Sequence, residues 1–413
     1  MMLTYDIYRK KAYNMATNKC IFERRILPMA LDMNSRITNL EISGIRRFAN
    51  QLANYPEALN LTIGQPDFHA PEAVKEAAAQ AILQDRTGYS SNAGLLELRE
   101  VVAAFFKEKY QCSYNPKTEV MVTNGASQAL DAVLRTILLP GDELIVPAPM
   151  YAGYVPVIES VGAKVVYLDT TDTHFQPSLE RLKACVTPKT KAILFNYPTN
   201  PTGATLSHDV MDEIVDYLKD QQLYIISDEI YSENTFDHAH RSFGSYPEIK
   251  DRLFLIHGLS KSHAMTGYRI GFIMGHEHLI QQTLKVSAFN ILCAAVPSQY
   301  GAIAALTIAK DAPEVMNVSY RQRRDYVYER LIKMGIEVQK PEGAFYIFPS
   351  IQQFGMTSEE FATRLMIEGG VGVVPGSAFS KLGEGYVRIT YAYAMETLVE
   401  AMNRMEQFIQ TLK

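Results

Sequence analysis

The residues with most chemistry to offer lie at Ser260-Lys261, with Arg269 eight positions on. An apolar run over 253–256 leads into the lysine, and a second strand-like run, 270–274, follows the arginine. A lysine at the end of a buried strand carries an ammonium that is costly to desolvate. The cost vanishes when the nitrogen is used covalently, as in an imine. Arg269 is a permanent, fork-shaped cation suited to an anion. An imine-forming amine beside an anion ligand points to pyridoxal 5'-phosphate (PLP). On this stretch alone, a solvated lysine at a strand end stays open as the alternative.

The elements that must position these groups alternate along the chain. Strands are predicted over 119–123, 143–146, 164–168, 191–195, 223–227 and 253–256, with helices over 129–138, 153–161, 179–184 and 208–219 between them. Strand-helix alternation predicts an α/β domain with a mainly parallel sheet flanked by helices. Ligands of such sheets collect beyond the carboxyl ends of strands. Tyr151, Asn200, Asp228, Tyr231 and Lys261 all follow such ends. Asn200 stands between Pro198 and Pro201, which stiffen its turn. Gly125-Ala126-Ser127, between a strand and a helix, has the arrangement that offers backbone N–H groups to a phosphate. Neither a GxGxxG nor a GxxxxGK[ST] motif is present. Gly64, before Gln65-Pro66-Asp67-Phe68, permits close backbone approach or serves a plain turn. Arg388 sits inside an apolar strand over 385–391, either as an anion ligand or as a salt-bridged structural arginine.

From about 311 the pattern turns to a long helix over 314–334, strands over 337–339, 344–347 and 371–374, a helix over 358–369 and a terminal helix over 394–412. The expected division is an N-terminal extension, 1–33; a large PLP-binding domain, 64–310; and a smaller α+β domain built from 34–63 and 311–413.

With 413 residues, 47% of them hydrophobic and 21% charged, the chain has globular composition and length for a substantial core. A formal charge of −5 gives no reason to expect nucleic acid. The four cysteines are scattered, with no metal-ligand spacing and no disulfide framework, which fits a reducing cytoplasm and predicts no metal. No apolar run is long enough to span a bilayer. Residues 1–33 contain no signal-peptide pattern.

Tyr89, Asn200-Pro201-Thr202-Gly203, Asp228-x-x-Tyr231, Ser260-Lys261, Arg269 and Arg388, in this order, resemble the class I/II aminotransferases of PLP-dependent fold type I. The resemblance runs from about residue 34 to the C-terminus. The stretches Glu41–Arg46, Leu61–Gln65 and Gly258–His263 are similar to a bacterial subgroup assigned to N-acetyl-LL-diaminopimelate transamination in lysine synthesis. The resemblance implies that Lys261 binds PLP as an imine and, once freed, acts as the proton-transferring base. It makes Asp228 the partner of the pyridine nitrogen. An ion pair at about 4 Å and an effective dielectric near 20 contributes roughly 4 kcal/mol, or about three pKa units. Asn200 and Tyr231 match the donors to the ring's phenolic oxygen, and Tyr151 the stacking ring. Gly125, Ala126, Ser127, Ser260 and Arg269 match the phosphate cradle. Tyr89 matches a phosphate ligand lent by a neighbouring subunit, implying a homodimer with shared active sites. Arg388 matches the clamp on the substrate α-carboxylate, beside the Gly64 backbone. One departure is Gly258, where many members carry a serine hydroxyl for the phosphate.

The expected activity is ping-pong transfer of an amino group between an L-amino acid, glutamate being one partner, and a 2-oxo acid. Rival readings are an aspartate or aromatic amino acid aminotransferase, a PLP-dependent C–S lyase, and a non-catalytic PLP-binding regulatory module. Met29 and Met33 precede the patterned chain. Translation from one of them predicts an intact mass for the native protein lacking residues 1–28 or 1–32; a full-length mass would refute this.

Overall fold

The computed structural model describes residues 31–41 and 44–412. The reading of residues 1–33 therefore falls almost wholly outside the described residues. The chain divides into a unit ending at Asn39 and a compact unit, Leu40–Lys413. In the first, a single helical turn, Ser35–Thr38, is capped by the Asn34 side chain.

Seven strands form the central sheet of the second unit: β1 (Val120–Thr123), β2 (Glu143–Ala148), β3 (Lys164–Asp169), β4 (Thr190–Asn196), β5 (Tyr224–Asp228), β6 (Leu253–Gly258) and β7 (Gly271–Gly275). Their order is β1-β7-β6-β5-β4-β2-β3. β2 to β6 pair in parallel, and β7 runs antiparallel to both β1 and β6. Strands covered on both faces must be apolar throughout, and Leu253, Phe254, Leu255 and Ile256 are all buried. One face is covered by the Ala126–Ile137 and Tyr154–Ser160 helices, through Leu130, Val133 and Ile158. On the other side of β1 and β7, Leu96–Tyr110 packs with Val296–Thr307 through Val102, Phe106 and Ala302. Chain order reverses between β2 and β4, so a crevice opens beyond their carboxyl ends.

A separate apolar cluster joins Phe48, Leu52 and Leu61 to Phe345, Ile389, Leu398, Met402 and Phe408. Around it lie an antiparallel sheet of Val374–Pro375, Val387–Thr390 and Tyr346–Ile347, and a parallel pair, Leu59–Asn60 with Val371–Gly372. Among the described residues, no helix is long and apolar enough to cross a membrane.

Four differences from the predicted elements have physical causes. The helix predicted over 129–138 begins at Ala126, because Gly125 at φ 83° turns the chain straight from β1 into helix. Helices Glu277–Ile291 and Val296–Thr307 have no predicted counterpart; the second is apolar enough to blur its periodicity. Residues 337–339 are not a strand, since their paired backbone contact, Ser350 N–H to Glu337 C=O at 2.8 Å, is isolated. The strand over 371–374 is two, because the chain changes partner at Val373, from Leu59–Asn60 to Val387–Arg388.

The end of β5 is anchored by Glu229. Its buried carboxylate accepts Ser227 Oγ (2.8 Å), Ser242 Oγ (3.1 Å) and the Phe243 N–H (3.0 Å), and meets His240 Nε2 at 2.9 Å. Truncation strands four buried polar groups. Glu229→Ala should destabilise the fold by about 3 to 5 kcal/mol, read as a lowered urea midpoint, with Glu229→Gln losing clearly less.

Candidate active site

The crevice is a cavity of about 370 Å³. Its wall includes Gly64, Ala126, Ser127, Tyr151, Asn200, Asp228, Tyr231, Ser260, Lys261, Arg269 and Arg388. Thus all but two of the residues singled out from sequence border one space. Gly125 lies immediately behind the wall, against Arg269. Tyr89 does not border the cavity and is 85% exposed.

β6 ends in a single helical turn, Leu259–Ser262, that lifts Lys261 into the cavity. Its Nζ donates to the Gly64 carbonyl at 2.6 Å. Burial, with Arg388 and Arg269 nearby, pushes the amine down to about 8, against the pull of Asp228. Gly64 is required there: a Cβ would collide with the Tyr346 hydroxyl.

Asp228 closes β5 and is buried. Oδ2 accepts the Tyr154 hydroxyl at 2.7 Å and Oδ1 the Ile230 N–H at 3.2 Å. Burial nevertheless raises its carboxyl to about 6, since two hydrogen bonds only partly replace water.

Arg388 is fully buried, stacked 4.5 Å from the Tyr346 ring centre and 5.0 Å from that of Phe379. Nη1 donates to Asn200 Oδ1 at 2.9 Å, Nη2 donates to the Thr62 carbonyl, and Nε has no partner. An arginine only donates, so this contact orients the Asn200 amide and leaves its NH₂ as the end able to donate. The Asn200 backbone is held in turn by Asn196 Oδ1 at 3.3 Å. Tyr231 and Tyr346 share a hydroxyl contact of 2.7 Å.

The Ala126–Ile137 helix brings its N-terminus to the cavity, where Ala126 and Ser127 form part of the wall. No side chain caps it, so its first N–H groups lack intrahelical acceptors. Arg269, in the left-handed region at φ 52°, lies so near that a Cβ on Gly125 would come within 2.5 Å of Nη2. At Gly258 a Cβ would make a tight contact, 3.0 Å, with the Ile270 carbonyl. Ser127 and Ser260 supply hydroxyls on the same wall. His263, next to the lysine pair, is buried away from the cavity against Ser262 Oγ at 2.9 Å.

Sequence reasoning gave no role to Tyr154, Asn196, Thr266, Ile45 and Tyr346, which also line the cavity. Tyr154 could have been found from its place just past the end of β2, at the start of the helix predicted over 153–161.

Residues 56–405 match the family described as aminotransferase class I and II. The chain is 47% identical over 377 residues to a probable N-acetyl-LL-diaminopimelate aminotransferase of Bacillus subtilis, covering 91% of this chain and 95% of that one. It is 40% identical to an aspartate aminotransferase of Pyrococcus abyssi, over 92% of this chain and 99% of that protein. The crystal structure of an aromatic aminotransferase from Pyrococcus horikoshii superposes with a TM-score of 0.84 at 40% identity, covering 88% and 99% of the two chains. The chain therefore belongs to the class I and II aminotransferases. It is an enzyme of PLP-dependent fold type I, and its cofactor is PLP.

The residues present fit that group. Three cations and one carboxylate border the cavity, a surplus of positive charge suited to a phosphate and a substrate carboxylate together. A buried amine, a buried carboxylate without an ion-pair partner among the described residues, and an orphaned Arg388 Nε are costly groups that the cofactor and substrate can compensate.

Asp228 gives a test on protein stripped of cofactor. Its folded-state pKa of about 6 exceeds the ordinary 3.8, so the folded state holds the proton more tightly. This contribution is favourable below about pH 4 and is lost as pH rises through 6. Apo Asp228→Asn should be more stable than apo wild type at pH 8 by on the order of 3 kcal/mol. The difference in urea unfolding should close towards pH 4.

Proposed function

We propose that the enzyme transfers an amino group between an L-amino acid, glutamate being one partner, and a 2-oxo acid in two alternating half-reactions. We further propose N-acetyl-LL-diaminopimelate, a lysine precursor, as its physiological substrate. The carrying observation for the chemistry is that Lys261, Asp228 and Arg388 open onto one cavity that Arg269 and a helix N-terminus also border. The Bacillus subtilis relative supports the substrate.

When bound, PLP supplies the electron-withdrawing ring that stabilises negative charge on the substrate α-carbon. Lys261 would hold it through Nζ. Released from that duty, the Lys261 amine would take the proton from the substrate α-carbon and deliver it to the cofactor carbon two atoms along, beyond the shared nitrogen. With a pKa of about 8, a useful fraction is neutral at physiological pH. Asp228 would face the ring nitrogen, Asn200 and Tyr231 its hydroxyl oxygen, and Tyr151 its face. Gly125, Ala126, Ser127, Ser260 and Arg269 would take the phosphate. Arg388 would bind the α-carboxylate beside Gly64, its planar fork already oriented by Asn200 and Thr62.

Three further readings belong to this proposal. Tyr89, outward-facing and remote from its own cavity, completes the phosphate site of a second copy, making the enzyme a homodimer. Residues 34–63 and 311–413 act as a small domain beside the PLP-binding part, supported by the apolar cluster that unites Phe48, Leu52 and Leu61 with the C-terminal elements. The enzyme works in the cytoplasm. The second substrate reading, aspartate or aromatic amino acids, rests on the Pyrococcus relatives.

A panel of amino donors with 2-oxoglutarate, including N-acetyl-LL-diaminopimelate, tests the substrate. Preference for aspartate or tyrosine would favour the second reading, and ammonia plus pyruvate without an acceptor would indicate a lyase. Lys261→Ala should retain some PLP non-covalently and lose transamination. Arg388→Ala should raise KM about 30-fold or more for every donor, the loss expected on truncating a buried charge pair. A defect confined to one donor would mean that Arg388 reads a side chain.

A further inference from the structure

Asp228 has an unusual environment for an ionised group. It is buried, and no described residue forms an ion pair with it. Among the described residues, the one side chain that donates to its carboxylate is Tyr154, at 2.7 Å. Tyr154 is itself fully buried at the start of the Tyr154–Ser160 helix, with its ring edge-on to Tyr151 at 5.3 Å. Its hydroxyl thus has no water to turn to, and Asp228 Oδ2 is the acceptor it has. Burial and the adjacent carboxylate push its own ionisation well above the ordinary tyrosine range, so it stays a donor. A donor to a carboxylate favours the charged form and fixes the direction of the free lone pairs.

We propose that Tyr154 is a positioning residue whose hydroxyl keeps Asp228 ionised and aimed at the cofactor's ring nitrogen. This rests on the assignment of Asp228 to that nitrogen. The other charged or titratable groups facing Asp228 are Lys261 from the turn after β6, Glu229 from the next position along the chain, and Tyr151 after β2. Lys261 favours ionisation and Glu229 opposes it. None of them changes when the Tyr154 hydroxyl alone is removed.

The experiment follows retention of PLP by the holoenzyme between pH 5 and 9, measured as cofactor absorbance co-eluting with protein on gel filtration. Wild type, Tyr154→Phe and Asp228→Asn are compared. A charge-assisted hydrogen bond is worth about 1.5 to 3 kcal/mol, or about one to two pKa units. Tyr154→Phe should therefore raise the pH midpoint of cofactor loss by about one to two units, while Asp228→Asn retains little PLP at any pH. An unmoved midpoint in Tyr154→Phe, with Asp228→Asn still defective, overturns the role of Tyr154 and leaves that of Asp228 standing. A wild-type retention profile in Asp228→Asn overturns the assignment of Asp228, and the role of Tyr154 with it. Should Tyr154→Phe fail to fold, 3-fluorotyrosine at position 154 gives a more acidic donor. It should lower the midpoint, and an unmoved or raised midpoint refutes the proposal.

Discussion

The site depends on holding an amine, a carboxylate and a guanidinium out of water in one small cavity without pairing them directly. Lys261 donates a hydrogen bond to a backbone carbonyl, Arg388 donates to Asn200 and a backbone carbonyl, and Asp228 accepts from a phenol and an amide. Each is solvated by neutral dipoles, so each keeps a capacity that a salt bridge would use up. Direct pairing would have been more favourable electrostatically. It would also have left nothing to attract a phosphate or a carboxylate. Burial pushes the amine and the carboxyl towards their neutral forms, to about 8 and about 6, so both titrate close to physiological pH.

The fold supplies those dipoles through convergence of strand ends. Parallel pairing of β2 to β6 lines up their carboxyl ends on one edge, and the reversal of order between β2 and β4 parts the connections there. Asp228 terminates β5, and Lys261 stands one turn beyond β6, its neighbour. Asn200 follows β4 on the other side. Rigid strands set the spacing of these groups, and short turns give them their direction. Another part of the wall comes from Arg388, whose guanidinium packs on the Tyr346 and Phe379 rings and is held by Asn200 and the Thr62 carbonyl.

Much of this could be read from the chain because a buried strand must be apolar, so a polar residue at its end stands out. Lys261, Asp228 and Asn200 were visible on that ground, and the small residues at 125–127 on the ground of helix geometry. Tyr154 and Tyr346 were not, because a tyrosine in an apolar environment looks like packing until its hydroxyl's partner is known. The partner of Tyr346 is Tyr231, 115 positions away. Gly258 shows the converse: it read as a missing ligand, and the structure adds that a Cβ there would make a tight contact, 3.0 Å, with the Ile270 carbonyl. Helix Val296–Thr307 was missed because buried positions on several sides erase a simple amphipathic stripe, and Glu277–Ile291 because half of the face it buries, Leu279, Ile280, Thr283 and Ser287, is polar.

The pairing of β1 with β7 joins Val120 to Met274 and Thr123 to Gly271. The strand that carries the glycine turn therefore has no partner until some 150 further residues have left the ribosome. Arg388 emerges later still. The nascent polypeptide can build β2 to β6 in the order of their synthesis, while the glycine turn waits for β7 to hold its strand in the sheet. The groups assigned to the coenzyme are thus all synthesised more than a hundred residues before the arginine assigned to the substrate.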